Sequence, residues 1–380
     1  MKKKVYNHAL DADKEALSQF KDCYENDFVV KAALMPDAHV GYVAPIGSVL
    51  VTKDYIVPAW VGYDIGCGMT VVKISDKKIV EKIKINAKKI HEEVKKIVPM
   101  GLGKISELKG ISEETKKKFD SLISKLKLKK YNKNIMNFLE SGKAERHLGS
   151  LGQGNHFIEL DEEGGYAWIV VHSGSRGVGH HVAEVYMKKS ANRKERFEET
   201  FPLHVDSDLG KEYISVLDFA LEFALLNRLE IIKEVIVGIE KVLQEKIKYA
   251  VIVNKNHNHA IKEKNYYVHR KGATPAKKSE KGVIPANMRD GSFLVVGKGS
   301  SKFLNSSSHG AGRVLGRNEA KKKLSLDEMK EQMKGIVSES REEFLDEAPN
   351  AYKDIYKVLD AQKESIKVLK HLKPIINWKG

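Results

Sequence analysis

Histidines occupy the polar turns of every strand-like block in this chain, and that spread restricts the fold more than any other feature. Residues 28–75, 147–182 and 249–317 are rich in short apolar runs and glycine and read as strands joined by tight turns. Their turns hold Met35-Pro36-Asp37-Ala38-His39, Gly154-Asn155-His156-Phe157, Val171-His172-Ser173-Gly174-Ser175-Arg176, Asn256-His257-Asn258-His259 and Ser307-Ser308-His309-Gly310-Ala311-Gly312-Arg313. A structural histidine normally sits within an apolar face, whereas loops after strand ends project side chains into a cleft. Such residues in all the strand blocks favour one domain, residues 1–380, folded around one site. Helical text lies between the blocks. Ile83, Ala87, Ile90, Val94 and Ile97 recur at steps of four and three up to Pro99, and residues 207–248 line up Val216, Phe219, Phe223, Leu226 and Val235. Ser325-Leu326-Asp327-Glu328 reads as a capping box. Strand blocks interrupted by helical blocks, without regular βα alternation, predict an α+β fold.

Cys67 lies in Val61-Gly62-Tyr63-Asp64-Ile65-Gly66-Cys67-Gly68-Met69. Glycines on both sides permit the turn that aims Asp64 and Cys67 at one point. A carboxylate, a thiolate and several imidazoles suit a first-row divalent ion such as Mn²⁺ or Zn²⁺, and a thiolate can bridge two ions. Any one of these residues alone would more often be structural; five motifs together weigh against that. Gly174-Ser175-Arg176-Gly177-Val178-Gly179 and Gly310-Ala311-Gly312-Arg313 place backbone N–H groups and an arginine near histidines, as anion-holding nests do. No G-x-x-x-x-G-K-[ST] is present, so a P-loop is unsupported.

Lysine and arginine number 66 against 51 aspartates and glutamates, and the net +15 points to an anionic partner, nucleic acid foremost. Lys116, Lys117, Lys118, Lys125, Lys127, Lys129, Lys130 and Lys133 crowd one segment. As a helix it sets Phe119, Leu122, Ile123 and Leu126 opposite lysines, which a solvated face explains as well as RNA does. An apolar share of 42% excludes global disorder. No run approaches the roughly 18 apolar residues of a membrane helix. Two cysteines and an N-terminus without an apolar stretch fit a reducing cytoplasm.

The ordered motifs Met35-Pro36-Asp37-x-His39-x-Gly41-Tyr42, Gly62-Tyr63-Asp64-Ile65-x-Cys67-Gly68, Gly154-Asn155-His156-Phe157-x-Glu159, His172-Ser173-Gly174-Ser175-Arg176-Gly177, Val268-His269-Arg270-Lys271-Gly272-Ala273 and His309-Gly310-Ala311-Gly312-Arg313 resemble the RtcB family of RNA ligases, from Met35 to Gly380. The resemblance implies a ligase that joins RNA 3′-phosphate or 2′,3′-cyclic phosphate ends to 5′-hydroxyl ends, with GTP as cosubstrate and two Mn²⁺ ions. It implies one α+β domain whose β-sheets line a deep cleft, with helices packed outside. By the same resemblance Asp64, Cys67, His156, His172 and His257 are metal ligands, with Cys67 shared. His309 is the nucleophile that carries GMP, and Asp37 is a further catalytic aspartate. Asn155, Phe157, Glu159, Ser292, Tyr352 and Lys379 match nucleotide contacts, with Asn287 in the nucleotide-binding loop. That loop, Pro285-Ala286-Asn287-Met288-Arg289-Asp290-Gly291-Ser292, departs from the family's Pro-Gly-Ser-Met-Gly-Thr. A monomer is expected, and the need for an accessory activating protein stays open.

On chemistry alone Arg176, Arg313 and Arg317 are candidates to grip RNA phosphates. The same ligand set would serve a metal-dependent phosphoesterase or nuclease on RNA ends, which needs no nucleotide-accepting His309. A non-catalytic RNA-binding protein would need no such set. His39, His180, His181, His259 and His269 are expected in supporting roles, and His8, His91, His204 and His371 at the surface.

Overall fold

The run Ala167-Trp168-Ile169-Val170-Val171 has no polar face, and it lies where both faces are covered. Its strand, Tyr166–Ser173, pairs antiparallel with Phe157–Glu163 on one side and Gly68–Ile74 on the other. In this computed structural model, which describes residues 3–101, 103, 110–126, 133–192 and 196–380, these strands are the middle of a seven-stranded sheet. Its order is Lys281–Pro285, Ser292–Gly297, Ile366–Lys379, Phe157–Glu163, Tyr166–Ser173, Gly68–Ile74, Tyr249–Asn256. Val283 of the first strand and Val253 of the last share one apolar cluster, so the sheet curls until it is nearly closed. A five-stranded sheet runs Lys4–Asn7, Val29–His39, Ile46–Thr52, Tyr266–Lys271, Asn258–Glu263. Residue 257 alone separates the strand that ends the first sheet from one that begins in the second.

The helix Asp208–Leu243 holds the two halves of the interior together. Ser207 caps it by accepting the Gly210 N–H at 3.0 Å, and Gln244 ends it in the left-handed region at φ 53°. Tyr213, Phe223 and Leu226 pack into one apolar cluster, and Ile231, Val235 and Ile239 into a second beneath the sheet. The expected stripe Ile83, Ala87, Ile90 and Val94 is buried, but it spans two helices, Lys78–Ile85 and Ala87–Ile97, broken at Asn86. In the lysine-rich segment the helix Glu113–Lys125 buries Phe119, and Lys116 pairs with Glu145 at 2.5 Å. Lys127, Lys129 and Lys130 lie outside the described residues, as does the side chain of Lys133.

Two stretches read as turns differ from expectation, and the first, Met35-Pro36-Asp37-Ala38-His39, lies within the strand Val29–His39. The second, the glycine-rich text after Ser173, opens the helix Arg176–Ser190. Gly177 and Gly179 serve close packing there: a Cβ would lie 2.4 Å from His147 Nε2 at the first and 1.9 Å from Ser175 Oγ at the second. The capping reading at Ser325 holds, since its hydroxyl accepts the Glu328 N–H at 3.2 Å. The architecture is α+β, as the block pattern predicts. Among the described residues no helix is long and apolar enough to cross a membrane.

Candidate active site

Antiparallel register brings four of the expected ligands to one end of the large sheet. Phe157 pairs with His172, and Gly68 pairs with both Ser173 and Asn256. Cys67, His156, His172 and His257 therefore stand at neighbouring strand ends, and all four are buried. Asp64 joins them through a turn in which Cys67 N–H donates to the Asp64 carbonyl at 3.1 Å. Gly66, at φ 74°, makes that turn possible; a Cβ there would sit 2.6 Å from Ala224 of the long helix.

Cys67 Sγ lies 3.1 Å from His172 Nε2 and 3.5 Å from His156 Nε2. His156 Nε2 is 3.0 Å from Asp64 Oδ2, and His172 Nε2 is 3.2 Å from His257 Nε2. These atoms form two donor triads, Cys67/His172/His257 and Asp64/Cys67/His156, each within 4.8 Å and sharing the one sulfur. His172 Nδ1 donates to the Asn155 carbonyl at 3.0 Å, which leaves the Nε2 lone pair facing the cluster. Burial pushes the Cys67 thiol up and His172 and His257 well down. Two imidazole nitrogens aimed at each other beside a thiol and a carboxylate fit a pair of first-row divalent ions, which keep thiols ionised and imidazoles neutral.

Behind this cluster stands Arg228, fully buried on the long helix. It donates to the Gly66 carbonyl at 2.9 Å, the Ser173 carbonyl at 3.0 Å and Asn256 Oδ1 at 2.8 Å. Thr70 and Asn254, each at 3.1 Å, take its Nε–H. One guanidinium thus ties down the residues next to Cys67, His172 and His257.

His309 follows the short strand Ser306–Ser308, and its ring centre is 4.9 Å from that of His257. The nucleophile candidate and the donor cluster therefore share one pocket. Asp37 Oδ2 accepts the Nδ1–H of His309 at 2.7 Å, its backbone N–H at 3.0 Å and the Gly310 N–H at 3.2 Å. Burial works to raise the Asp37 carboxyl, but the charge and hydrogen bond of His309 prevail and hold it below the usual carboxylate range.

A cavity of about 410 Å³ opens beside His309, lined by Asn155, Phe157, Glu159, Asn287, Tyr352 and Lys379. That volume suits one small molecule. Ser292 stands behind the lining, where its hydroxyl donates to Glu159 Oε2 at 3.0 Å; Asn377 donates to Oε1 at 3.0 Å. Burial lifts the Glu159 carboxyl above its ordinary range against those bonds. The amide of Asn287 is spent inside its own loop: Oδ1 accepts from the Arg289 and Asp290 N–H groups, and Nδ2 donates to Asp290. The departure from the family loop is thus a self-locked turn. Glu347 collects Tyr352 Oη at 2.5 Å, Lys379 Nζ at 2.7 Å, Arg317 at 2.7 Å and Arg313 at 3.3 Å. Arg313 and Arg317 are therefore already paired with carboxylates. Arg176 is held inside the cluster, 3.3 Å from His156 Nδ1.

Arg228, Glu347 and Asn377 were not singled out from the sequence. Only Asn377 carried a signal, two residues before Lys379 on one strand face. Of the histidines expected at the surface, His91 is buried with its ring stacked on Trp378 at 5.5 Å. His269 supports the fold as expected, accepting the Val57 N–H at 3.0 Å.

Residues 19–380 match the family described as "tRNA-splicing ligase RtcB". The chain is 31% identical to the RNA-splicing ligase RtcB of Escherichia coli K12, over 99% of this chain and 97% of that protein. It is 30% identical to the tRNA-splicing ligase RtcB of Methanococcus maripaludis, over 91% of this chain and 87% of the relative.

Proposed function

The chain belongs to the RtcB family of RNA-splicing ligases, and we propose that it joins RNA 3′-phosphate or 2′,3′-cyclic phosphate ends to 5′-hydroxyl ends with GTP and two Mn²⁺ ions. The observation that carries this reading is the Asp37–His309 pair beside two donor triads that share Cys67. With Nδ1–H held by Asp37, the Nε2 lone pair of His309 is the nucleophile. It attacks the α-phosphorus of GTP; the N–P bond forms, the bond to the bridging oxygen breaks, and pyrophosphate leaves. Asp37 stabilises the positive ring that results. An oxygen of the RNA 3′-phosphate then attacks the same phosphorus and frees His309. The 5′-hydroxyl attacks the activated 3′-phosphate last, and GMP leaves. A cyclic phosphate is first opened by water. Cys67, His172 and His257 would hold one ion and Asp64, Cys67 and His156 the other. Bound there, the ions would supply charge neutralisation at the phosphate oxygens. Glu159 lines the cavity and would accept from guanine N1–H and its exocyclic amine, a donor pattern adenine lacks.

The test is incubation with GTP labelled at the α-phosphate and Mn²⁺, with intact-protein mass spectrometry and a defined 3′-phosphate/5′-hydroxyl RNA pair. A His309-linked GMP and a joined product are expected. Processed ends with no protein adduct would instead indicate a phosphoesterase on the same ligands.

A further inference from the structure

We propose that Tyr42 is a stacking platform for an unpaired base at an RNA end, an assignment that rests on the ligase reading above. The Tyr42 side chain is 75% exposed. With Asp64 it lines a second cavity, of about 1140 Å³, which meets the nucleotide cavity at Asn155, Arg317 and Lys379. Tyr42 does not line the nucleotide cavity, so guanine is not its occupant. It stands instead in the open space beside the Asp64 end of the donor cluster, where a polynucleotide end has room to enter.

The ring is held out on a fixed backbone rather than on a loose tip. Gln19 accepts the Gly41 N–H at 3.0 Å and donates to the Gly41 carbonyl at 2.8 Å. Gly41 admits no side chain, because a Cβ would lie 2.2 Å from the Ala44 carbonyl oxygen. Tyr63 backs the ring edge-on, with centres 6.1 Å apart and planes at 82°, and His180 stacks on Tyr63 at 4.7 Å. A single exposed aromatic needs no explanation. Three rings in contact, one presented on a rigid turn at the mouth of a cleft, form a preorganised surface that loses little entropy on binding. Every nucleobase offers a π-face to such a surface, so the contact tolerates any sequence at the junction.

The test measures binding of a 3′-phosphate strand and a 5′-hydroxyl strand by fluorescence anisotropy, with an abasic nucleotide placed at successive positions from each end. Tyr42→Ala should weaken binding about tenfold, while Tyr42→Phe and Tyr42→Trp retain it. At one position the abasic loss and the Tyr42→Ala loss should fail to add. GMP uptake and the thermal midpoint should match the wild type; if the alanine variant is unstable, Tyr42→Leu keeps bulk without a π-face. Unchanged affinity, an equal loss in Tyr42→Phe, or losses that add at every position would overturn the proposal. Failure of the wild type to take up GMP or to join ends defeats the ligase reading instead, and the adduct assay reports that separately.

Discussion

Asp37 Oδ2 lies 2.7 Å from Nδ1 of His309, so the ring has one committed nitrogen and one free nitrogen. The carboxylate fixes the tautomer and also pins the backbone on which the ring rides. Asp37→Ala should therefore slow GMP transfer to His309 by about 10²–10⁴-fold, the range for loss of a positioned proton partner. Bound metal should be unchanged. A mass-spectrometric time course checks the rate, and elemental analysis checks the metal.

Sharing of Cys67 between both triads would make the two proposed ion sites interdependent. Cys67→Ala should release both ions, whereas His257→Ala should weaken one triad and leave Asp64/Cys67/His156 intact. Equilibrium dialysis against Mn²⁺ reads the stoichiometry. Equal stoichiometry in the two variants would contradict a bridging sulfur.

Arg228 is buried and donates to five acceptors, so its removal is costly. Arg228→Met would strand the Gly66 and Ser173 carbonyls and Asn256 Oδ1 in the interior. We expect a loss of about 3 kcal/mol or more, read as a fall in the urea midpoint. Arg228→Lys should recover little, since an ammonium has too few donors and the wrong shape.

Glu347 supplies a pH test. Burial raises its carboxyl, but Lys379 and Arg317 outweigh that and hold it at about 2. In the unfolded chain a glutamate titrates near 4.3. The folded value is the lower one, so the stabilisation is complete above about pH 4.3 and is lost as pH falls toward about 2. Glu347→Gln should cost on the order of 3 kcal/mol at neutral pH and flatten the acid limb. Urea titrations from neutral to acid pH check both effects; parallel curves for wild type and variant would refute the assignment.

Asp64, Cys67, His156, His172, His257 and His309 were legible as a group because each lies in or beside polar, glycine-rich text near a strand end, where side chains escape a sheet; their separation from neighbours such as His39 and His259 came from the family resemblance. The run around Trp168 was legible as an unbroken apolar stretch, and the stripe around Phe223 through its helical periodicity. Arg228 was not, because one arginine inside an apolar helix stripe looks the same as a surface residue until the acceptors arrive from residues 66, 173 and 256. Glu347 lies in polar text, and only folding brings it to Lys379. The helix at Arg176 was misread because its glycines, usual signs of a turn, here admit His147 and Ser175 at close range.

The strand Ile366–Lys379 lies between Ser292–Gly297 and Phe157–Glu163, yet the ribosome makes it after both. Throughout translation those two strands each keep an open hydrogen-bonding edge, and such edges invite pairing with another chain. The strand that carries Asn377 and Lys379 into the pocket is therefore the last of the large sheet to be made. Holding nascent chains apart until residue 379 is docked should govern how much usable enzyme a cell obtains from each message.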